Sequence, residues 1–309
     1  MKENLFLLRI LLIITVLSNY SCENKTDQVA NIELVEDEKN ISHWPNDQRM
    51  VINITVDLSS EDSDLKSEFK NNKDKEALHL LSCQKELSNL MELLKEHSIR
   101  VTTILKPDKY CTNSFISDEL EKNRHEIAGF YTDEDGEVES FLSQYTCDST
   151  KKDQVVHGLF GKSISEVVEH NLNAKENNLK YWSGFLNNDF PQRLGDSTDH
   201  IIMIPSQRLD FNASNERSQL RKKFVNTSHL ISVFDNLYAE AENTRIMMGV
   251  VFSNDKASIK AQMETLEDFI VHAKKHEGVV FMKNIDIARL VEFDPDTPEL
   301  IPISLDKPL

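Results

Sequence analysis

Glycine and proline are both scarce, at eight each in 309 residues. That excludes a collagen-like or low-complexity chain. It also fits the lack of a Gly-rich phosphate loop and of a Gly-x-Ser-x-Gly nucleophile elbow, both of which need glycine at fixed spacing. Cysteine occurs four times, without a Cys-x-x-Cys pair or a Cys/His cluster, so no structural zinc site is legible. Basic residues are outnumbered, 35 Lys plus Arg against 52 Asp plus Glu, for a formal charge of -17. Such a surface repels phosphate backbones and anionic lipid, which excludes nucleic acid as a partner; its plain reading is solubility. No uninterrupted apolar run reaches the roughly 20 residues of a membrane span.

The remaining composition, 39% hydrophobic and 28% charged, is that of a globular protein with ample core for one large domain or two smaller ones. The first 22 residues read as an export signal: Met1, Lys2 and Glu3, then an apolar stretch over 5–17 broken by Arg9, then Ser18 to Ser21 before Cys22. Ser21-Cys22 resembles the lipobox of bacterial lipoproteins, which implies a lipid on Cys22 and an anchor in a bacterial envelope membrane. Asn19 departs from the motif, which wants an aliphatic residue there. An uncleaved amphipathic anchor and a cut elsewhere are the alternatives. Residues 23–42 are polar and acidic and suit a tether, leaving 43–309 as the folded body. In an oxidising compartment Cys111 and Cys147, both in loop-like sequence, are the expected disulfide, and Cys83 falls on an apolar helix face as a buried thiol.

The body alternates strands with amphipathic helices. Val51, Ile52, Ile54 and Val56 predict a buried strand; Leu80, Cys83, Leu87, Leu90, Met91 and Leu94 predict a helix. A second strand is expected over 101–105, ended by Pro107, and a short third at Ile127. Ile164, Val167, Val168 and Leu172 predict a helix. A strand over 201–204 is stopped by Pro205, and strands over 246–252 and 279–282 flank a helix carrying Ile259, Met263, Leu266, Ile270 and Ala273. Repeated strand-to-helix alternation points to a mainly parallel sheet or barrel.

Several segments then carry a family likeness. They are Trp44-Pro45, the run from Leu93 to Thr102, His125-Glu126-Ile127-Ala128-Gly129, Phe234-Asp235-Asn236-Leu237-Tyr238-Ala239-Glu240, Met247-Met248, Leu266 to Ile270, His276-Glu277-Gly278-Val279-Val280-Phe281 and Ile285-Asp286-Ile287-Ala288. In this order they resemble the polysaccharide deacetylase (NodB homology) family, nearest its allantoinase-like branch of urate catabolism. The resemblance spans about 43–293 in pieces and is poor over 145–200. It implies a distorted (β/α) barrel of the glycoside hydrolase/deacetylase type, with its site at the C-terminal ends of the strands. It also implies removal of an N-acetyl group by a divalent metal on one Asp and two His, with an Asp as general base and a late His as acid.

Position by position, that chemistry is depleted. Thr55-Val56-Asp57-Leu58 stands where the family has Thr-Phe-Asp-Asp, so Asp57 matches the base and Leu58 replaces the metal-binding Asp. Glu61 and Asp62 read as a solvated acidic loop. Phe130 and Glu134 occupy the two metal-histidine positions, and Ser253 that of the acid. His125 reads as structural, and Tyr181-Trp182 as buried packing rather than a sugar platform. His272 and His276 have the i, i+4 spacing that grips zinc, but no third ligand is evident and Lys274 and Lys275 intervene, so a solvated helix face is expected.

The resulting expectation is an exported, membrane-anchored, catalytically impaired deacetylase-like protein that binds envelope glycan, with no cofactor. The alternatives are a divergent deacetylase or amidohydrolase cleaving non-peptide C–N bonds through Asp57 with a zinc-type metal, and a purely structural envelope lipoprotein.

Overall fold

The computed structural model describes residues 44–59, 73–112, 114–132, 135, 137–145, 156–161, 176–184, 189–195, 200–208, 227–253, 259–297 and 299–300. The export signal with Cys22, the tether, Glu61, Asp62, Glu134, Cys147 and the helix expected at Ile164 to Leu172 lie outside the described residues, as does the side chain of Cys83.

The organising strand is β1, Met50–Asp57, buried at every position. A parallel strand covered on both faces needs apolar or internally satisfied side chains throughout, and Met-Val-Ile-Asn-Ile-Thr-Val-Asp supplies them. On one flank it pairs in parallel with β9 (Ile246–Ser253) from Met50↔Ile246 to Asp57↔Ser253. Its other flank is shared. Residues 50–52 pair with β10 (Val279–Phe281) and residues 55–57 with β2 (Thr102–Leu105). Asn53 sits at the split, donating from Nδ2 to the Met282 carbonyl at 3.0 Å and accepting from Thr55 Oγ1 at 2.7 Å.

From β2 the parallel order runs through β3 (Glu126–Phe130), β4 (Gly158–Phe160) and β5 (Tyr181–Gly184) to β7 (His200–Pro205). β6 (Gln192–Gly195) lies antiparallel on β7 and carries β11 (Glu299–Leu300). One residue past β7, β8 (Gln207–Arg208) pairs with β9. The run 200–208 therefore joins the two ends of the curled sheet, through β5 at 202–205 and β9 at 207–208. Pro205 was expected to stop this strand; it is its last residue, opposite Gly184, and the chain resumes pairing after Ser206.

Helix α1 (Lys73–Glu96) lays Leu87, Leu90, Met91 and Leu94 inward. Pro107 does more than end β2, since it opens α2 (Pro107–Thr112), where a missing N–H costs nothing. Cys111, expected in a loop, lies in that helix. Helices α3 (Ser114–Lys122) and α4 (Val138–Ser143) follow. Helices α5 (Thr227–Glu240) and α6 (Ile259–Ala273) pack together beside β9, with Phe234 edge-on to Phe269 at 5.9 Å. The last, α7 (Asn284–Val291), closes the N-terminal end of the barrel. Its Ile285, Ile287, Ala288 and Val291 join Trp44, Val51, Ala128, Tyr181, Ile202 and Met247 in one core. Trp44 is fixed there by its indole N–H donating to the Ile246 carbonyl at 2.8 Å.

The poorly matched middle holds β4, β5 and β6, which no periodicity announced: they are three or four residues long and each carries a glycine. Gly158 is required for a steric reason, because a Cβ there would lie 1.9 Å from the Tyr181 ring. Gly158→Ala should therefore destabilise the fold by about 2–3 kcal/mol, read by denaturant unfolding. A change under about 0.5 kcal/mol would mean that Tyr181 moves aside freely.

Candidate functional site

Barrel strands aim their C-terminal ends at one mouth, where this architecture carries chemistry. At the end of β1, Asp57 is buried, and its Oδ1 accepts from the Ser59 backbone N–H at 2.9 Å and from Ser59 Oγ at 2.5 Å. This local turn holds the carboxylate in place. Leu58 is also buried; its N–H donates to the Ile104 carbonyl at 2.9 Å, and its own carbonyl accepts from Lys109 Nζ at 3.1 Å. Phe130, at the end of β3, stacks on Phe160 at the end of β4, with centroids 6.3 Å apart and planes 21° off parallel. Both pack with Ile104 and Val251 into a small apolar cluster beneath the mouth, and Lys106 Nζ lies 5.9 Å from the Phe130 centroid. Ser253 pairs with Asp57 along the backbone, so its position faces the base across the β1–β9 ladder; its side chain lies outside the described residues.

A divalent metal at the mouth would need imidazoles and a carboxylate converging there. Among the described residues, the positions the resemblance assigns to ligands hold the side chains of leucine and phenylalanine, neither of which offers a lone pair. These residues do not fit a metal. At the same strand ends, Ser183 Oγ and Ser206 Oγ share a buried hydrogen bond of 2.6 Å, and the Tyr145 hydroxyl donates to the Leu105 carbonyl at 2.6 Å. Tyr181 and Trp182 are both buried, as packing rather than a platform.

The His125-Glu126 pair serves the scaffold. Val101 N–H donates to His125 Nδ1 at 3.1 Å, joining the start of β2 to that of β3. Burial, with help from Lys283 and Arg100, pushes the imidazole down to about 4, so it is neutral near pH 7. Glu126 was legible only as part of a family segment. Its buried carboxylate accepts from Tyr181 Oη at 2.7 Å, Thr102 Oγ1 at 2.9 Å and the Ile285 N–H at 3.0 Å. Burial raises its pKa; the Ile285, Tyr181 and Thr102 hydrogen bonds and the Lys283 charge oppose that rise.

Cys111 is disulfide-bonded, and its Sγ lies 3.4 Å from the carbonyl of Gln144, three residues before Cys147. His272 and His276 do meet a third group: Asp235 of α5 reaches across, with Oδ1 2.7 Å from His272 Nε2 and 3.9 Å from His276 Nε2. Sequence alone had no way to set two side chains 37 residues apart side by side.

A histidine with a depressed folded pKa binds its proton more readily in the unfolded chain. Stability is then lost as pH falls from about 6.5 toward 4. Glu126, with a raised pKa, acts in the opposite sense, favouring the fold at low pH. The two separate by substitution: His125→Asn, which keeps an acceptor for Val101, should flatten the loss of Tm between pH 6.5 and 4. Glu126→Ala should cost about 3 kcal/mol or more, because it leaves two hydroxyls and a helix N–H buried without their acceptor.

No family model matches the chain, and no curated protein matches it in sequence. Solved structures do match. A probable polysaccharide deacetylase from Pseudomonas aeruginosa PAO1 superimposes with a TM-score of 0.66 at 19% identity, over 85% of this chain and 98% of that one. The Puue allantoinase does so with a TM-score of 0.65 at 19% identity, over the same shares. The chain has the curled, mostly parallel (β/α) barrel fold of the polysaccharide deacetylase and allantoinase structures.

Proposed function

We propose that this barrel is an exported, lipid-anchored envelope protein that holds glycan without deacetylating it. The observation that carries the reading is the apolar cluster of Ile104, Phe130, Phe160 and Val251 under the mouth, with buried Leu58 beside the one retained carboxylate, Asp57. A general base needs a polarised carbonyl and a proton donor for the leaving amine. Leucine and phenylalanine at two of the three ligand positions leave only Glu134 there to hold a Lewis acid, and serine at the acid position does not donate a proton readily near neutral pH. Loss of both groups together removes most of a hydrolase's rate enhancement. The mouth offers recognition chemistry instead: a half-buried phenylalanine ring for the apolar face of a sugar, beside the ammonium of Lys106. A glycan ligand is in keeping with the fold shared with a probable polysaccharide deacetylase. A cystine at Cys111 is in keeping with an oxidising compartment, and Cys147 is its proposed partner. The rival reading, a hydrolase acting through Asp57, draws on the retention of that carboxylate in a hydrogen-bonded turn.

Purified protein given zinc, cobalt or nickel in turn, with acetylated chito-oligomers or peptidoglycan, should release no acetate above the metal-only blank. It should retain the oligomers saturably, and Phe130→Ala should weaken that binding about threefold to tenfold. Acetate release that disappears in Asp57→Asn would establish the hydrolase instead. For the anchor, mass spectrometry of the mature N-terminus should find lipid on Cys22, and Cys22→Ser should move the protein from the membrane fraction to the soluble one. An unmodified Cys22 would overturn that part of the proposal.

A further inference from the structure

We infer that Asp235, His272 and His276 form a zinc-type metal site clipping α5 to α6 on the outside of the barrel, independent of the mouth. Their ligand atoms all lie within 4.8 Å of one another. A tetrahedral zinc with bonds of about 2.0–2.1 Å sets its ligand atoms about 3.3 Å apart. The 2.7 Å and 3.9 Å separations from Asp235 Oδ1 to the two Nε2 atoms straddle that value. An ion entering between them displaces the proton of the His272–Asp235 hydrogen bond and needs only small side-chain shifts.

The surroundings orient both imidazoles. His276 Nδ1 lies 3.1 Å from the His272 carbonyl, so its N–H donates there and its Nε2 lone pair is left for a metal. Phe234 packs edge-on against both rings, at 5.6 Å and 4.9 Å, and Tyr238 against His276 at 4.7 Å. Tyr238 is itself held by the Arg49 guanidinium 3.9 Å from its centroid and by its hydroxyl donating to the Glu277 carbonyl at 3.0 Å. The nearby lysine charge at 274 is directed elsewhere, to the carbonyl of His97. Two imidazoles and one carboxylate suit zinc over calcium or magnesium, which prefer oxygen. Asp235 is half exposed and the histidines partly so, which leaves water the fourth position.

Equilibrium dialysis of the untagged full chain against zinc tests the site. One saturable zinc per chain is expected, with thermal stability rising with zinc concentration. Asp235→Asn and His272→Gln, at partly exposed positions, should keep the fold by circular dichroism and weaken uptake about tenfold or more. Cobalt in place of zinc should give the visible absorption of a tetrahedral centre in the wild-type chain and lose it in both variants. Asp57→Asn should bind zinc as wild type does, which separates this site from the mouth. No saturable uptake by the wild-type chain, or equal uptake by both clip variants, would overturn the assignment.

Discussion

The carboxylate of Glu126 is the tie on which the rest of the barrel depends. β1 is flanked first by β10 and then by β2, so the sheet parts where the chain passes from β10 into α7. Such a parting leaves helix-terminal N–H groups buried without partners. Glu126 accepts one of them from Ile285 while gathering Thr102 from β2 and Tyr181 from β5, and Thr102 Oγ1 in turn accepts the N–H of Asn284 at 2.9 Å. One buried carboxyl group is thereby shared among three elements and a helix N-terminus. The cost of its desolvation shows in its raised pKa.

With the N-terminal end of the barrel fixed in this way, the C-terminal mouth is free to vary. There the described side chains form apolar packing. Phe130 continues the inward-facing register of β3 that Glu126 begins and Ala128 carries on, and it stacks on Phe160. The same strand thus holds the scaffold's main polar tie at one end and an aromatic stack at the other. Asp57 sits at the end of β1, held by Ser59.

The barrel was legible because β1, β9 and the faces of α1 and α6 are long and apolar enough to show their period. The strands of the middle were not, because residues 158–160, 181–184 and 192–195 gain their place from packing, as the contact between Gly158 and the Tyr181 ring shows. At the mouth, Asp57, Leu58, Phe130 and Ser253 were found by motif position, which carries identity without geometry. His125 was read as structural, and its hydrogen bond to Val101 is of that kind. Glu126 and Asp235 were missed as functional groups for one reason. Each acquires its role from residues distant in sequence, 159 positions away at Ile285 and 37 at His272.

In the proposed reading, the mouth of this barrel holds no metal. The most direct measurement is anomalous diffraction at the zinc edge from crystals of the protein grown with zinc. The account predicts no anomalous peak within bonding distance of Asp57. A peak bonded to the Asp57 carboxylate would contradict it, and would place ligands at the mouth despite leucine at 58 and phenylalanine at 130.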